Sequence, residues 1–198
     1  ATLDHWTGAL SLYDRETARA VYWVPDAEAV PYFERGAPLR TLLSWWLSDV
    51  GLQSVHAAAV GDDDGGVLLA GKGGSGKSTT ALRCLDSGLG YAADDYCVFA
   101  TGAPPRAYSL YNTAKLNGIA DLERLPRFAS MVENPDAADD EKLLIFLDRH
   151  VPDRLVRSFP IRAVVVPIVT DEDATTLSPI PSGQALRALG PTTLLQRP

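Results

Sequence analysis

Val67-Leu68-Leu69-Ala70-Gly71-Lys72-Gly73-Gly74-Ser75-Gly76-Lys77-Ser78 is an apolar run that passes directly into G-x-x-x-x-G-K-S. The spacing reads as a buried strand opening into a phosphate-cradling loop. Gly71, Gly73, Gly74 and Gly76 allow turns that a Cβ would block, so the backbone N–H groups from Gly71 through Ser75 to Thr79 can approach an anion closely. Lys77 would neutralise the β and γ oxygens of ATP, and the Ser78 hydroxyl would sit on Mg²⁺. Ala81, Leu82 and Leu85 then fall on one helical face, and Gly88 stands where that helix would end. Such a helix points its positive N-terminus at the loop.

Working outward, the next decisive residues are Asp94 and Asp95. A helix from about Lys77 to Ser87 leads roughly 16 Å away from the phosphates at 1.5 Å per residue. The apolar run Leu89-Gly90-Tyr91-Ala92-Ala93 returns a similar distance if it is a strand. Should that strand lie parallel to the one before the loop, the aspartates end level with a bound γ-phosphate. Adjacent strand residues point opposite ways, so one carboxylate would accept a proton from an attacking hydroxyl and the other would hold the metal or its waters. Asp171, after the apolar run Ala163–Val169, is a competing metal ligand. Pro167 and the surface character of Asp171-Glu172-Asp173 count against it.

The 198 residues as a whole are ordinary for a soluble globular chain, with 46% hydrophobic and 22% charged residues. A net charge of −7 argues against a nucleic-acid partner, which requires a basic stripe. No apolar run is long enough to span a membrane, the first residues do not read as a signal peptide, and Cys84 and Cys97 read as free thiols. These features fit a reducing cytoplasm. Residues 1–50 are expected to form an N-terminal β-rich region, with strands at Ala9–Tyr13 and Ala20–Pro25 and a helix over about 38–50. On that helix Trp46 should pack in the core and Trp45 at its margin. Residues 51–198 should form the phosphate-loop core. There Ser54–Val60 makes a hairpin with the strand before the loop across the solvated turn Gly61–Gly66, and further strands run over Lys142–Leu147 and Ile161–Val169. The hairpin makes the expected architecture α/β with a mixed sheet. A short helix is expected over Ser182–Leu189, and the uncapped ending Leu195-Gln196-Arg197-Pro198 suggests a further C-terminal segment.

His56, the loop through Lys77 and Ser78, and Ala93-Asp94-Asp95 together resemble the catalytic core of HPr kinase/phosphorylase, whose loop is related to that of phosphoenolpyruvate carboxykinase. The resemblance implies that Lys77 and Ser78 serve the phosphates and Mg²⁺, that Asp94 is the general base toward a serine hydroxyl, and that His56 contacts the phosphates or tunes Asp94. It leaves Asp95 for the metal. The family's arginine-glycine signature is absent, and Tyr108–Leu116 and Glu141-Lys142 are more similar to a divergent branch found beside peptide natural-product genes. Some members of that branch phosphorylate precursor peptides, including those of lasso peptides. On that resemblance Lys115 and Lys142 would contact ATP or the acceptor, and Glu141 would replace the missing metal ligand. Members of the wider family form rings, so an oligomer is compatible with it.

The expected activity is therefore transfer of a γ-phosphoryl group from ATP to a serine of a peptide or small protein. A kinase of free serine or a similar metabolite and a non-catalytic ATP-sensing module are its rivals. No Asn-Lys-x-Asp signature for guanine is present.

Overall fold

The computed structural model describes residues 1–137, 141–172 and 174–194. The strand before the loop and its hairpin partner organise the molecule. The N-terminal region contributes β1 (Thr2–Leu3), β2 (Leu10–Asp14), β3 (Arg19–Trp23), α1 (Tyr32–Arg35) and α2 (Arg40–Asp49). There follow β4 (Gln53–Val55), β5 (Ala58–Asp62), β6 (Gly65–Leu69), α3 (Lys77–Asp86), β7 (Gly90–Ala93), β8 (Cys97–Ala100) and β9 (Arg106–Ser109). The chain continues through β10 (Thr113–Leu116), α4 (Ile119–Arg124), β11 (Leu143–Phe146), β12 (Ser158–Val165) and α5 (Ser182–Leu194). Strands β1–β3 form an antiparallel sheet of their own, β10 pairs with β11, and a seven-stranded sheet runs β4-β8-β9-β12-β6-β5-β7. In that sheet β12 and β6 are parallel and the other neighbours antiparallel, so the α/β fold is mixed as expected.

The β5–β6 hairpin closes on Asp62, whose Oδ1 accepts the N–H groups of Asp64 at 3.0 Å and Gly65 at 3.2 Å. This is the solvated turn read from the aspartate run. A Cβ on Gly61 would meet Gly66 Cα at 2.4 Å, so the two strands approach only because both positions are glycine. Alternation then sorts the strands between two cores: Ala58, Val60 and Leu69 join Leu82, Leu85 and Tyr91 on one face, while Ala59 and Leu68 join Phe159, Ala93 and Cys97 on the other. Ala81, Leu82 and Leu85 are the buried face of α3, as its periodicity predicts. Gly88 (φ +97°) ends the helix, with the Leu89 N–H on Cys84 O at 3.0 Å. Burial pushes the Cys97 thiol up to about 12 and raises Cys84, and both cysteines are free.

Several expectations need correction. Ser54–Val60 is not one strand: it breaks at His56-Ala57, so that β4 pairs with β8 while β5 pairs with β6. Strand β12 spans Ser158–Val165 and stops short of Val169, leaving Pro167 outside the ladder it would interrupt. Pro38 precedes α2, which starts at Arg40 after Leu39 in the left-handed region. Trp46 is 43% exposed and Leu47 takes the buried position. Helix α2 lies against both β2 and β4, so burial goes to Leu42 and Leu47, about 140° apart around the helix at 3.6 residues per turn. The ridge between them, Leu39, Trp46 and Val50, stays half open. The last helix runs on to Leu194, and Asp173 and Leu195–Pro198 lie outside the described residues. No helix among the described residues is long and apolar enough to cross a membrane.

Candidate active site

Strand β5 is antiparallel to both β6 and β7, so the two flanking strands run in the same direction. Ala59 pairs with Leu68 on one side and Ala93 on the other, which sets the two C-terminal ends level. The loop leaves β6 and the aspartate pair leaves β7 at the same edge, about 10 Å apart across one intervening strand. The parallel return inferred from the sequence is therefore present, one strand further over than a direct neighbour.

Within the loop, Gly71, Gly74 and Gly76 have φ of +152°, +77° and +91°, values that other residues adopt only with strain. An added Cβ at Gly73 or Gly74 would meet nothing within 4 Å, so this side of the loop is open to a ligand. Ser75 Oγ is buried against Gly71 with no hydrogen-bond partner among the described residues. The Lys77 side chain is buried and folds back over the loop, donating to Gly71 O at 2.8 Å and Lys72 O at 3.2 Å. Burial lowers the Lys77 pKa, the Asp95 and Asp94 charges oppose that shift, and the nearby Lys142 charge adds to it. These features fit an anion: the loop presents an open cradle, an unsatisfied hydroxyl and a cation held at its base.

The two aspartates occupy different surroundings. Asp94 is 1% exposed, its Oδ2 accepts the Lys115 backbone N–H at 2.9 Å, and its Oδ1 has no hydrogen-bond partner among the described residues. Burial, followed by the Asp95 charge, raises its pKa to about 6 against the opposing influence of the Lys115 N–H and the Ser78 hydroxyl. Asp95 is committed: Oδ1 lies 3.0 Å from His56 Nε2 and Oδ2 accepts from Lys115 Nζ at 2.9 Å. Burial works against its charge, but the His56 and Lys115 contacts outweigh it and hold the carboxyl well below the usual range. An ionised carboxylate needs a donor at that position, which places a ring proton on Nε2, and the buried Nδ1 has no hydrogen-bond partner among the described residues.

His56 thus contacts Asp95, and no hydrogen bond or ion pair among the described residues joins it to Asp94. Its position follows from the break between β4 and β5, where its own N–H donates to Thr193 Oγ1 of α5 at 3.2 Å. Lys115, on β10, is 4% exposed and spans both aspartates, one through its backbone and one through its ammonium. Lys142 and Glu141 precede β11 and are half-buried, and Asp171 lies exposed beyond β12.

Residues that the sequence did not single out complete the site. The Tyr96 ring lies 5.4 Å from that of His56, and the Arg40 guanidinium donates to the Tyr96 hydroxyl at 2.7 Å. A Cβ on Gly36 would meet Lys115 Cε at 2.8 Å, so the bend after α1 packs onto the lysine stem. Tyr96 had a local signal in its position directly after the aspartates. Arg40 and Gly36 had none, because they lie more than fifty residues away in the N-terminal region.

No family model matches the chain, and no curated protein matches it. Among solved structures it is similar to the HPr(Ser) kinase/phosphatase from Coxiella burnetii, at 19% identity and a TM-score of 0.43 over 63% of this chain and 70% of that one. A likeness of that extent assigns neither a family nor an activity.

Proposed function

We propose that the chain is an ATP-dependent kinase that transfers the γ-phosphoryl group to a serine hydroxyl of a peptide or small protein. The observation that carries this reading is Asp94: a buried carboxyl beside the phosphate loop, with one uncommitted oxygen and a pKa near 6. A general base needs a free lone pair and a pKa close to the working pH, and Asp94 has both. Asp95 has its two oxygens bonded to His56 and Lys115, so it serves as a fixed anion that keeps Asp94 basic.

ATP would lie along Gly71–Ser78 with Thr79, and Mg²⁺ would be held by Ser78 together with the remaining lone pairs of Asp95. When bound, MgATP supplies the phosphoryl group and neutralises its developing charge. Asp94 Oδ1 takes the serine proton as the serine oxygen bonds to phosphorus and the bond from phosphorus to the bridging β–γ oxygen breaks. Lys77 would hold the β and γ oxygens, and Lys142, whose charge acts on Lys77, would meet the same oxygens. Glu141 would supply the metal ligand that the missing arginine-glycine signature otherwise provides.

The test is incubation with γ-labelled ATP, MgCl₂ and serine-containing peptides, with free serine in a parallel arm. Label should enter peptide serine, and kcat/KM should rise with pH through about 6 as Asp94 ionises. Asp94→Asn should lower transfer by a factor of about 10² or more while ATP still binds. Full transfer by Asp94→Asn would overturn the base assignment, labelling of free serine alone would favour a metabolite kinase, and tight binding without transfer would favour a sensor.

A further inference from the structure

A cleft opens at the start of the strand that carries Lys115. Resting on the kinase reading, we propose that the acceptor segment docks in this cleft and that Arg35 binds one carboxylate of that segment. The cleft has a volume of about 300 Å³ and is bounded by Arg35 and Pro38 of the N-terminal region, Ser109–Thr113, and Phe146, Asp148 and Arg149. That volume admits one or two side chains of an extended peptide, at the lower end of small ligand sites.

Position ties the cleft to the chemistry. Thr113 lines it and opens β10, and Lys115 follows two residues later on the same face, about 7 Å along the strand. A segment seated there lies beside the residue whose N–H holds Asp94. The walls are braced: the Tyr111 hydroxyl donates to Pro38 O at 2.7 Å, and its ring meets that of Tyr96 edge-on at 6.5 Å.

Charge selects the occupant. Arg149 stacks over the Phe146 ring at 4.7 Å and is paired with Glu133 at 2.6 Å. Arg35 is exposed at the end of α1 and makes no ion pair among the described residues. One uncommitted guanidinium, with Asp148 in the same lining and a chain charge of −7, suits a single carboxylate and repels an acidic tract.

The probe is a set of short single-serine peptides in which each flanking position carries Glu or Gln in turn. Each is made with a free and an amidated C-terminus, to separate a side-chain carboxylate from a terminal one. With MgATP, a carboxylate at one spacing from the serine should lower KM about tenfold against its neutral counterpart. Arg35→Glu, at an exposed site and checked by thermal melting, should erase that ratio and favour Lys at the same position. Transfer with no carboxylate preference, or an unchanged preference in Arg35→Glu, overturns the docking assignment and leaves the kinase reading intact. Failure to phosphorylate any peptide while ATP binds overturns the kinase reading, and this assignment with it.

Discussion

Replacing the Asp94 carboxyl by its isosteric amide sets stability against chemistry. In the folded protein the pKa of Asp94 is about 6 against an ordinary 3.8, because burial and the Asp95 charge disfavour its ionised form. A carboxyl whose pKa is raised by folding binds its proton more tightly in the folded state. Ionising it therefore costs stability, progressively between about pH 4 and pH 6 and fully above that. Two pKa units at 1.36 kcal/mol each amount to about 3 kcal/mol at pH 7. Asp94→Asn carries no charge and keeps an oxygen for the Lys115 N–H, so it should gain that amount. Asp95 works with the opposite sign: its depressed pKa contributes stability above about pH 4 that is lost on further acidification. That contribution is common to both proteins and largely cancels in the comparison. Urea denaturation of the two proteins from pH 4 to pH 7, extrapolated linearly, reads the gap. The gap should open from near zero at pH 4 to about 3 kcal/mol in favour of the variant at pH 7. A variant less stable than the parent at pH 7, or a gap that does not change with pH, would refute the placement of Asp94 as a desolvated carboxyl beside a second charge.

Lys77→Ala removes the cation at the base of the loop and should weaken ATP binding and transfer together, by a factor of about 10² in titration calorimetry and in initial rates. Lys115→Met keeps the apolar stem beneath Gly36 but leaves Asp95 with His56 alone. Breaking that buried pair should cost about 3 kcal/mol in chemical denaturation at pH 7, and an unchanged midpoint would show that the contact contributes nothing.

The strand, loop and α3 were legible because each rests on short-range rules: four glycines that permit the turn, an apolar run before it, and helical spacing after it. The two turn signals at Asp62–Gly65 and Gly88 were legible for the same reason. The break at His56 was not, because Ala57 and Ala59 look like one continuous run until β8 captures β4 and β6 captures β5. Trp46 misled the reading of α2 because periodicity identifies an apolar face without showing how wide a neighbour will cover it.

What the sequence determined by itself is an open glycine loop with two carboxylates brought back to its level, since loop chemistry and the rise per residue of helix and strand are properties of contiguous chain. Tertiary structure alone decided how those carboxylates divide their work. Lys115, supplied by a strand twenty residues further on, and His56, supplied from before the loop, both settle on Asp95 and leave Asp94 desolvated with an open oxygen. Two identical side chains at adjacent positions differ in acidity only through their surroundings, and those surroundings are assembled from distant parts of the chain.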